Sequence, residues 1–427
     1  MKLETYKDII HELKNIITDT KFEGKTYCVG GCCRDQILGN EIKDIDIVIE
    51  LQNGGIEFAE YLLSKHLTKG RIQTYSRFGT AMFTLKKFPD IEIECVHTRC
   101  EKYLDGHSRN PETEFGTIEE DCYRRDLTIN ALYYNISTEE FLDVCGKSLN
   151  DIKNHIIQTP TNPNITYIDD PLRILRCVRF SARYLWDIEK KTYNAMKANI
   201  DRLRILTQER ITDEFCKILN NSNYVYGLNL LEEIGALKYI LSPYDLHLHT
   251  KSIGKVYYEY HPHLMTSGLL KNFYRKMVIL LYPYDQYADQ IMRIRKFSNN
   301  DNKYIYSIIK LLKKYGNIFD KEVNDYNIRE CQYECKNEEK FNDFINCLYV
   351  IKPYLYEKFN ILDKNIHNHY NYKLPVNGDD IMNYLHIDSS PDIKEYLDKL
   401  IDYSFINPDI TKDDCFKFID RINKRDD

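Results

Sequence analysis

The chain has 427 residues, 29% of them charged and 43% hydrophobic, with a formal net charge of −6. It is too long for one small core, with about two to four domains expected, and too apolar for wholesale disorder. Its longest apolar run, Met277 to Tyr282, falls far short of the ~20 residues a bilayer helix needs, and without a global positive field any nucleic-acid binding must rest on local basic patches.

From the N-terminus, Ile9, Ile10, Leu13, Ile16 and Ile17 share one face of a predicted amphipathic helix. Strand-like segments follow at Thr26–Val29, Ile45–Ile49, Thr80–Leu85 and Ile91–Val96, with a Gly-Gly turn and a helix between the first two. Eleven of the 17 glycines fall in residues 1–150, so strands and tight turns are expected early, in an α/β domain reaching about residue 160. From Pro171 the pattern is helical: one helix to about Tyr184, others near 188–200, 208–220, 228–239, 301–314 and 338–350. Lys373–Pro375 and Asn377-Gly378 then break the chain ahead of a compact helical tail.

Thirteen cysteines, an odd number scattered without a disulfide framework, point to a reducing compartment. Cys331 and Cys335 come nearest to metal spacing, but no second pair follows them at zinc-site distance. The first 23 residues lack an apolar signal core and carry Glu4, Asp8, Glu12, Asp19 and Glu23, unlike an acid-poor transit peptide. A cytoplasmic protein is expected, with no membrane segment and no disulfide partner.

Three motifs carry the chemistry. The first runs Val29-Gly30-Gly31-Cys32-Cys33-Arg34-Asp35, then Leu38-Gly39, then Asp44-Ile45-Asp46. Strand side chains alternate, so Asp44 and Asp46 project to one side about 7 Å apart and suit Mg²⁺, a lover of oxygen ligands. Gly30 and Gly31 let backbone N–H groups approach a phosphate near a helix N-terminus. The bland reading is a surface strand with two solvated aspartates. Gly24-Lys25-Thr26 is a decoy, because a P-loop needs a glycine where position 19 is Asp.

The second motif is Arg124-Arg125-Asp126-Leu127-Thr128-Ile129-Asn130. Arginine suits phosphate, a carboxylate can accept from a ribose hydroxyl, and Asn130 offers a donor and an acceptor. The same residues also fit a salt-bridged helix start. The third is Asp169-Asp170-Pro171-Leu172-Arg173-Ile174-Leu175-Arg176. Asp before Pro is an ordinary helix start, yet Asp170 and Arg173 are three apart and can share a helix face. An acceptor beside a donor matches the amine and ring nitrogen of cytosine and of adenine. Uracil and guanine present the inverse order. Arg173, Arg176, Arg179 and Arg183 recur at helical spacing, a stripe that suits phosphate or is simply a solvated face.

In this order the three motifs resemble the class II tRNA nucleotidyltransferases, the CCA-adding enzymes of the polymerase-β superfamily, most closely in residues 26–220. Between the motifs, Arg99-x-Glu101-x-Tyr103, Ser108-Arg109 and Glu114-Phe115-Gly116-Thr117 resemble the eukaryotic branch, and Glu209-Arg210-Ile211 with Glu214 resembles a following family motif. Pro375-Val376-Asn377-Gly378-Asp379-Asp380-Ile381 resembles the family's tail, although the usual Gly-Pro after it reads Ser389-Ser390-Pro391. The resemblance implies an α/β nucleotidyltransferase head with a mixed sheet (1–160), then an all-α neck (161–245), body (246–370) and tail (371–427), the tail contacting the tRNA elbow.

It further implies two Mg²⁺ ions held by Asp44, Asp46 and a third carboxylate, Glu94, with Glu92 its competitor. Gly30, Gly31, Arg34, Arg125, Asp126, Asn130, Asp170, Arg173 and Arg176 would surround the nucleotide, Asp126 at the ribose and Asp170 with Arg173 at the base. Residues 99–112 would form a flexible loop that helps switch from C to A. The implied activity is addition of CCA to tRNA from CTP and ATP. Rival readings are a poly(A) polymerase of the same family, an inactive tRNA-binding protein, and nucleotide transfer to a small molecule or protein.

Overall fold

The computed structural model describes residues 1–76, 79–102, 112–241, 272–362 and 369–424. The chain forms two compact units, Met1–His247 and Leu248–Asp427.

The first unit opens with α1 (Leu3–Ile17), which buries Tyr6, Ile9, Ile10, Leu13 and Ile17. Then come β1 (Thr26–Val29), α2 (Gly31–Leu38), β2 (Ile45–Ile49), α3 (Gly54–Ser64), β3 (Gln73–Tyr75), β4 (Thr80–Thr84) and β5 (Glu92–His97). A hairpin of β6 (Arg99–Lys102) and β7 (Glu112–Phe115) precedes α4 (Ile118–Tyr123). After a single 3-10 turn at Thr128–Asn130 follow β8 (Tyr133–Asn135), β9 (Glu140–Leu142), α5 (Ser148–Asn154) and β10 (Ile156–Ile157). The helices α6 (Pro163–Asp169) and α7 (Leu172–Tyr184), the strand β11 (Asp187–Ile188), and then α8 (Lys190–Ala198), α9 (Gln208–Leu219), α10 (Tyr224–Glu233) and α11 (Leu237–Leu241) complete the described part.

The main sheet runs β3-β4-β5-β2-β1-β8-β9 and is mixed, with β2 and β5 parallel and the other pairs antiparallel. Alternation along the strands makes two faces. Ile45, Ile47, Ile93, Cys95, Ala81 and Phe83 are all buried at alternate positions, and Phe58 of α3 stacks edge-on to both Phe22 and Phe83. On the other face Tyr27, Val29, Val48, Ile118, Cys122, Ala131 and Tyr133 form a second cluster.

Gly55 lets α3 lie directly on the sheet. A Cβ there would stand 2.6 Å from the Cys95 carbonyl oxygen and 2.7 Å from Val96 Cα. Both obstacles are backbone and cannot swing aside. Gly55→Ala is therefore expected to destabilise the first unit by about 1–3 kcal/mol, the usual cost of overpacking. An unchanged urea midpoint would contradict this packing.

The head joins the helices after it through parallel pairing of β10 with β11. The neck expected to be all-helical thus contributes one short strand, because Asp187 and Glu189 donate their N–H groups to His155 and Ile157. The single helix expected at 228–239 is two, α10 and α11, separated at Gly235 with φ +77. α10 approaches α7 and α9 closely at Gly227, where a Cβ would stand 2.7 Å from Ile218 and 3.3 Å from Ala182.

The described part of the second unit is helical, with helices at Phe273–Leu281, Asp285–Ile294, Asn299–Lys321, Asp325–Cys335, Glu338–Ile351 and Leu355–Leu362. Ser298, Asn324 and Asn337 cap three of them through side-chain oxygens. The last helices, Gly378–Leu385, Pro391–Ile406 and Lys412–Asn423, share a small core of Val376, Ile381, Ile393, Leu400, Cys415 and Ile419. The break expected at Asn377-Gly378 is a helix start, a capping box between Asn377 and Asp380. No described helix is long and apolar enough to cross a membrane.

Candidate active site

Asp46 lies within β2, exposed between the buried Ile45 and Ile47, and Asp44, also exposed, lies one residue before the strand. The parallel register sets Glu94 of β5 directly beside Asp46, with Met82 on its far side. Glu92 lies two residues back along the same face. No described side chain pairs with Asp44, Asp46 or Glu94. The Asp46 carboxyl is raised to about 7, first by loss of bulk water against the walls around it, then by Cys32 and Glu94; Asp44 adds to this and Arg125 opposes it. Among the described residues no three His, Cys, Asp or Glu side chains converge into a ready cage.

The glycine turn stands at the start of α2. Gly30 holds φ +76 and ψ −123, which an L side chain rarely adopts, and its N–H donates to the Leu132 carbonyl at 3.3 Å. A Cβ on Gly30 would lie 3.7 Å from Arg125 Nη1, so the arginine of the second motif borders the glycine turn. Gly31 opens the helix, and its Cβ position is 3.5 Å from Arg34 Nη2.

Arg34, expected at the nucleotide, is 3% exposed and already engaged. It grips both oxygens of Asp35, donates to Asn130 Oδ1 at 2.6 Å, and stacks on Phe180 and Tyr184. Asn130 passes the contact on, donating to Asp126 Oδ1 at 3.1 Å, and Arg176 of α7 donates to Asp126 Oδ2 at 2.7 Å. One polar chain therefore runs Asp35–Arg34–Asn130–Asp126–Arg176 from the glycine turn into the neck. Burial alone would raise the Asp126 carboxyl, but Arg176, Asn130 and Arg173 bring it down to about 2.

Sequence reasoning missed Asp121, which organises the second motif. It is fully buried, with Oδ2 accepting from Arg125 Nε and Nη2 at 3.0 and 2.8 Å and from the Tyr133 hydroxyl at 2.7 Å. Its Oδ1 accepts from Arg124 at 3.0 and 2.6 Å and from the Arg99 N–H at 3.2 Å. Burial pushes this carboxyl up, yet the two arginines hold it well below the usual range. The signal was present in the spacing, since Asp121 precedes Arg124 and Arg125 by three and four residues in a helical stretch.

The third motif is placed differently from the expectation of one helix face. Asp170 stands outside α7, where Oδ1 accepts from the Leu172 N–H at 3.1 Å and Oδ2 from Arg210 at 2.8 Å. It closes α6 and sits just before α7, because proline at 171 forces the residue before it into extended backbone, φ −140. Arg173 donates to Glu101 at 3.3 Å. The arginine stripe is largely neutralised within the unit: Arg173 meets Glu101, Arg176 meets Asp126 and Arg179 meets Glu214, while Arg183 lies over Tyr184. Of the expected switching loop, residues 103–111 lie outside the described residues, and only its ends, β6 and β7, are seen.

This head is of the nucleotidyltransferase class, and its sequence agrees. The family described as "Poly A polymerase head domain" matches residues 26–158, and "Probable RNA and SrmB-binding site of polymerase A" matches 187–245. The chain is 27% identical to the Schizosaccharomyces pombe tRNA nucleotidyltransferase cca2 over 92% of its own length and 91% of that protein's. It is 36% identical to the mitochondrial CCA tRNA nucleotidyltransferase of Candida glabrata, there over 48% of this chain and 41% of the relative. Its fold is similar to the Bacillus stearothermophilus CCA-adding enzyme solved in complex with CTP, with TM-score 0.72 and 20% identity, over 98% of both chains. Together these likenesses support a class II tRNA nucleotidyltransferase of the CCA-adding kind.

Proposed function

We propose that this protein adds CCA to the 3′ end of tRNA, consuming CTP twice and ATP once and releasing pyrophosphate each time. The observation that carries this reading is the joining of three distant motifs. Gly30 donates to Leu132 just past the second motif, Arg34 donates to Asn130, and Asp126 accepts from Arg176, beside a face of unpaired carboxylates. The segments serve as head (1–160), neck (161–245), body (246–370) and tail (371–427), the helical parts gripping RNA by backbone and shape. The protein works in the cytoplasm, in keeping with thirteen free thiols.

The carboxylate face suits a divalent cation, since hard oxygen donors without a protein cation on them are what Mg²⁺ takes. Asp44, Asp46 and Glu94 would hold it, two ions being assigned. When bound, the metal lowers the pKa of the attacking hydroxyl and stabilises charge on the phosphate oxygens. The terminal tRNA hydroxyl forms a bond to the α-phosphorus of the nucleotide as the bond to the β-phosphate oxygen breaks. The Gly30–Gly31 turn lets the triphosphate approach the backbone, Arg125 supplies positive charge beside it, and Asp126 faces the ribose.

Asp170 and Arg173 read the base. A carboxylate offers about four lone-pair sites and a guanidinium five N–H groups. Asp170 uses two such sites, and Arg173 shows one side-chain hydrogen bond, to Glu101. Both therefore retain capacity for an amine and a ring nitrogen. Arg173→Ala should weaken the preference for C and A over U and G by about tenfold or more, or cripple addition. An unchanged rate with unchanged selectivity removes the assignment.

The deciding assay supplies tRNA lacking its last three nucleotides with CTP, ATP or both, and sequences the ends. CCA ends are expected only with both nucleotides. A long A-only product would make the protein a poly(A) polymerase, and no extension at all would make it a tRNA-binding protein.

A further inference from the structure

Arg34 carries its charge where a ligand has little access to it. The side chain is buried. Its Nε and Nη2 donate to the two oxygens of Asp35 at 3.1 and 3.0 Å, and Nη1 donates to Asn130 Oδ1 at 2.6 Å. The Phe180 and Tyr184 rings of α7 lie 5.4 and 5.3 Å from its Cζ, and the Tyr184 hydroxyl donates to Asp35 at 3.3 Å. Asp35 therefore balances the guanidinium, and the neck packs against it.

A guanidinium has donors and no acceptor. The end of the Asn130 side chain that meets Arg34 must then be its oxygen, which turns the amine to Asp126, where it donates to Oδ1 at 3.1 Å. Reversed, the amide would set a donor against a donor and an oxygen against a carboxylate. The Leu127 N–H also donates to Asp126 Oδ1, at 2.9 Å, and Arg176 donates to Oδ2 at 2.7 Å. Three of about four lone-pair sites on Asp126 are thus filled, and the plane of the carboxylate is fixed. Asn130 is itself held at its backbone, its N–H donating to the Leu127 carbonyl at 3.0 Å and its carbonyl accepting from Arg125 at 3.3 Å.

We infer that Arg34 is a positioning residue for sugar selection. It makes no contact with the nucleotide. Through Asn130 it aims the remaining acceptor site of Asp126 at the ribose 2′-hydroxyl. The inference rests on the proposed place of Asp126 at the ribose. A site built to take a hydroxyl's hydrogen bond rejects the analogue that lacks it, because the buried acceptor is left unpaired. Loosening Asp126 therefore erodes the preference for CTP over dCTP, whereas the phosphates, common to both, are held as before. Direct contact of Arg34 with the triphosphate predicts the opposite, an equal loss with the two nucleotides.

The test measures kcat/KM for single additions of CTP and of dCTP to tRNA lacking its last three nucleotides. Arg34→Lys keeps a charge beside Asp35 but loses the fork that also reaches Asn130. The CTP-over-dCTP ratio should fall about tenfold or more, with the loss carried by CTP. Asn130→Ala should lower the ratio as far, and the double variant no further, since the two residues act through one chain. An unchanged ratio in Arg34→Lys, or losses that multiply in the double variant, overturns the inference. Should the lysine variant fail to fold, Asn130→Ala decides, and an unchanged ratio there overturns it equally. Asp126→Ala keeps the two readings apart. A ratio lost in Asp126→Ala but kept in Arg34→Lys strikes the inference alone, whereas a ratio kept in Asp126→Ala strikes the placing of Asp126 at the ribose.

Discussion

Asp46→Ala, and separately Asp44→Ala, is expected to remove nucleotide addition while tRNA binding and thermal stability hold. The loss should be at least about a hundredfold, the scale on which deleting one stabiliser of developing charge slows a reaction. Stability should hold because neither side chain has a partner to orphan, both are exposed, and their strand is anchored from its other face by Ile45 and Ile47. Removing Asp46 even relieves repulsion from Glu94. Glu94→Ala should follow the same pattern, and comparison with Glu92→Ala separates the two competitors for the third position. Activity near that of the unmodified protein in Asp46→Ala, measured by extension of truncated tRNA with magnesium present, would remove the assigned metal role.

Where the sequence was most legible, one side of an element faced apolar mass. Thr26–Val29 and Ile45–Ile49 were read to the residue, because apolar strand runs and the Gly-Gly turn leave little choice of register. The first helix was found too, but Tyr6 was missed from its buried face and Ile16 is only half-buried, since periodicity does not tell how wide a stripe the sheet covers. The seven-residue α6 and the two-residue β10 and β11 carry too few positions for a period to register. At the site, residue types were legible but partners were not. Nothing in the spacing of Arg34 says that it stacks between Phe180 and Tyr184, or that Arg176 reaches back to Asp126. Those contacts span 50 residues or more of chain and exist only once the neck is folded against the head. The Asp170–Arg173 pair shows the cost of reasoning by helical spacing alone, since proline at 171 places the first of the two outside the helix.

The largest stability effect is expected at Asp121. This carboxylate has no exposed surface and five side-chain donor contacts from Arg124, Arg125 and Tyr133. Asp121→Asn keeps its shape but removes its charge, leaving two arginine guanidinia without their shared counterion. Removing one partner of a buried ion pair costs about 3–5 kcal/mol, and each kcal/mol moves the melting midpoint by about 2–4 °C in a unit of this size. Tyr133→Phe, which removes a single neutral donor, should cost only about 1 kcal/mol. Activity should drop with Asp121→Asn as well, because Arg125 loses the fork that holds it against the Asn130 carbonyl, beside the glycine turn. The pH dependence distinguishes charge from shape. A carboxyl depressed in the folded state stabilises fully above its unfolded value of about 4 and loses that contribution as pH falls toward the folded value. Asp121 and Asp126 are both depressed, so the unmodified protein should weaken steadily between about pH 4 and pH 2. The Asn variant lacks one of these terms, and its deficit against the unmodified protein should therefore narrow as urea unfolding is moved from about pH 7 to about pH 3. A deficit of equal size at both values would mean that Asp121 acts through packing, not through its charge.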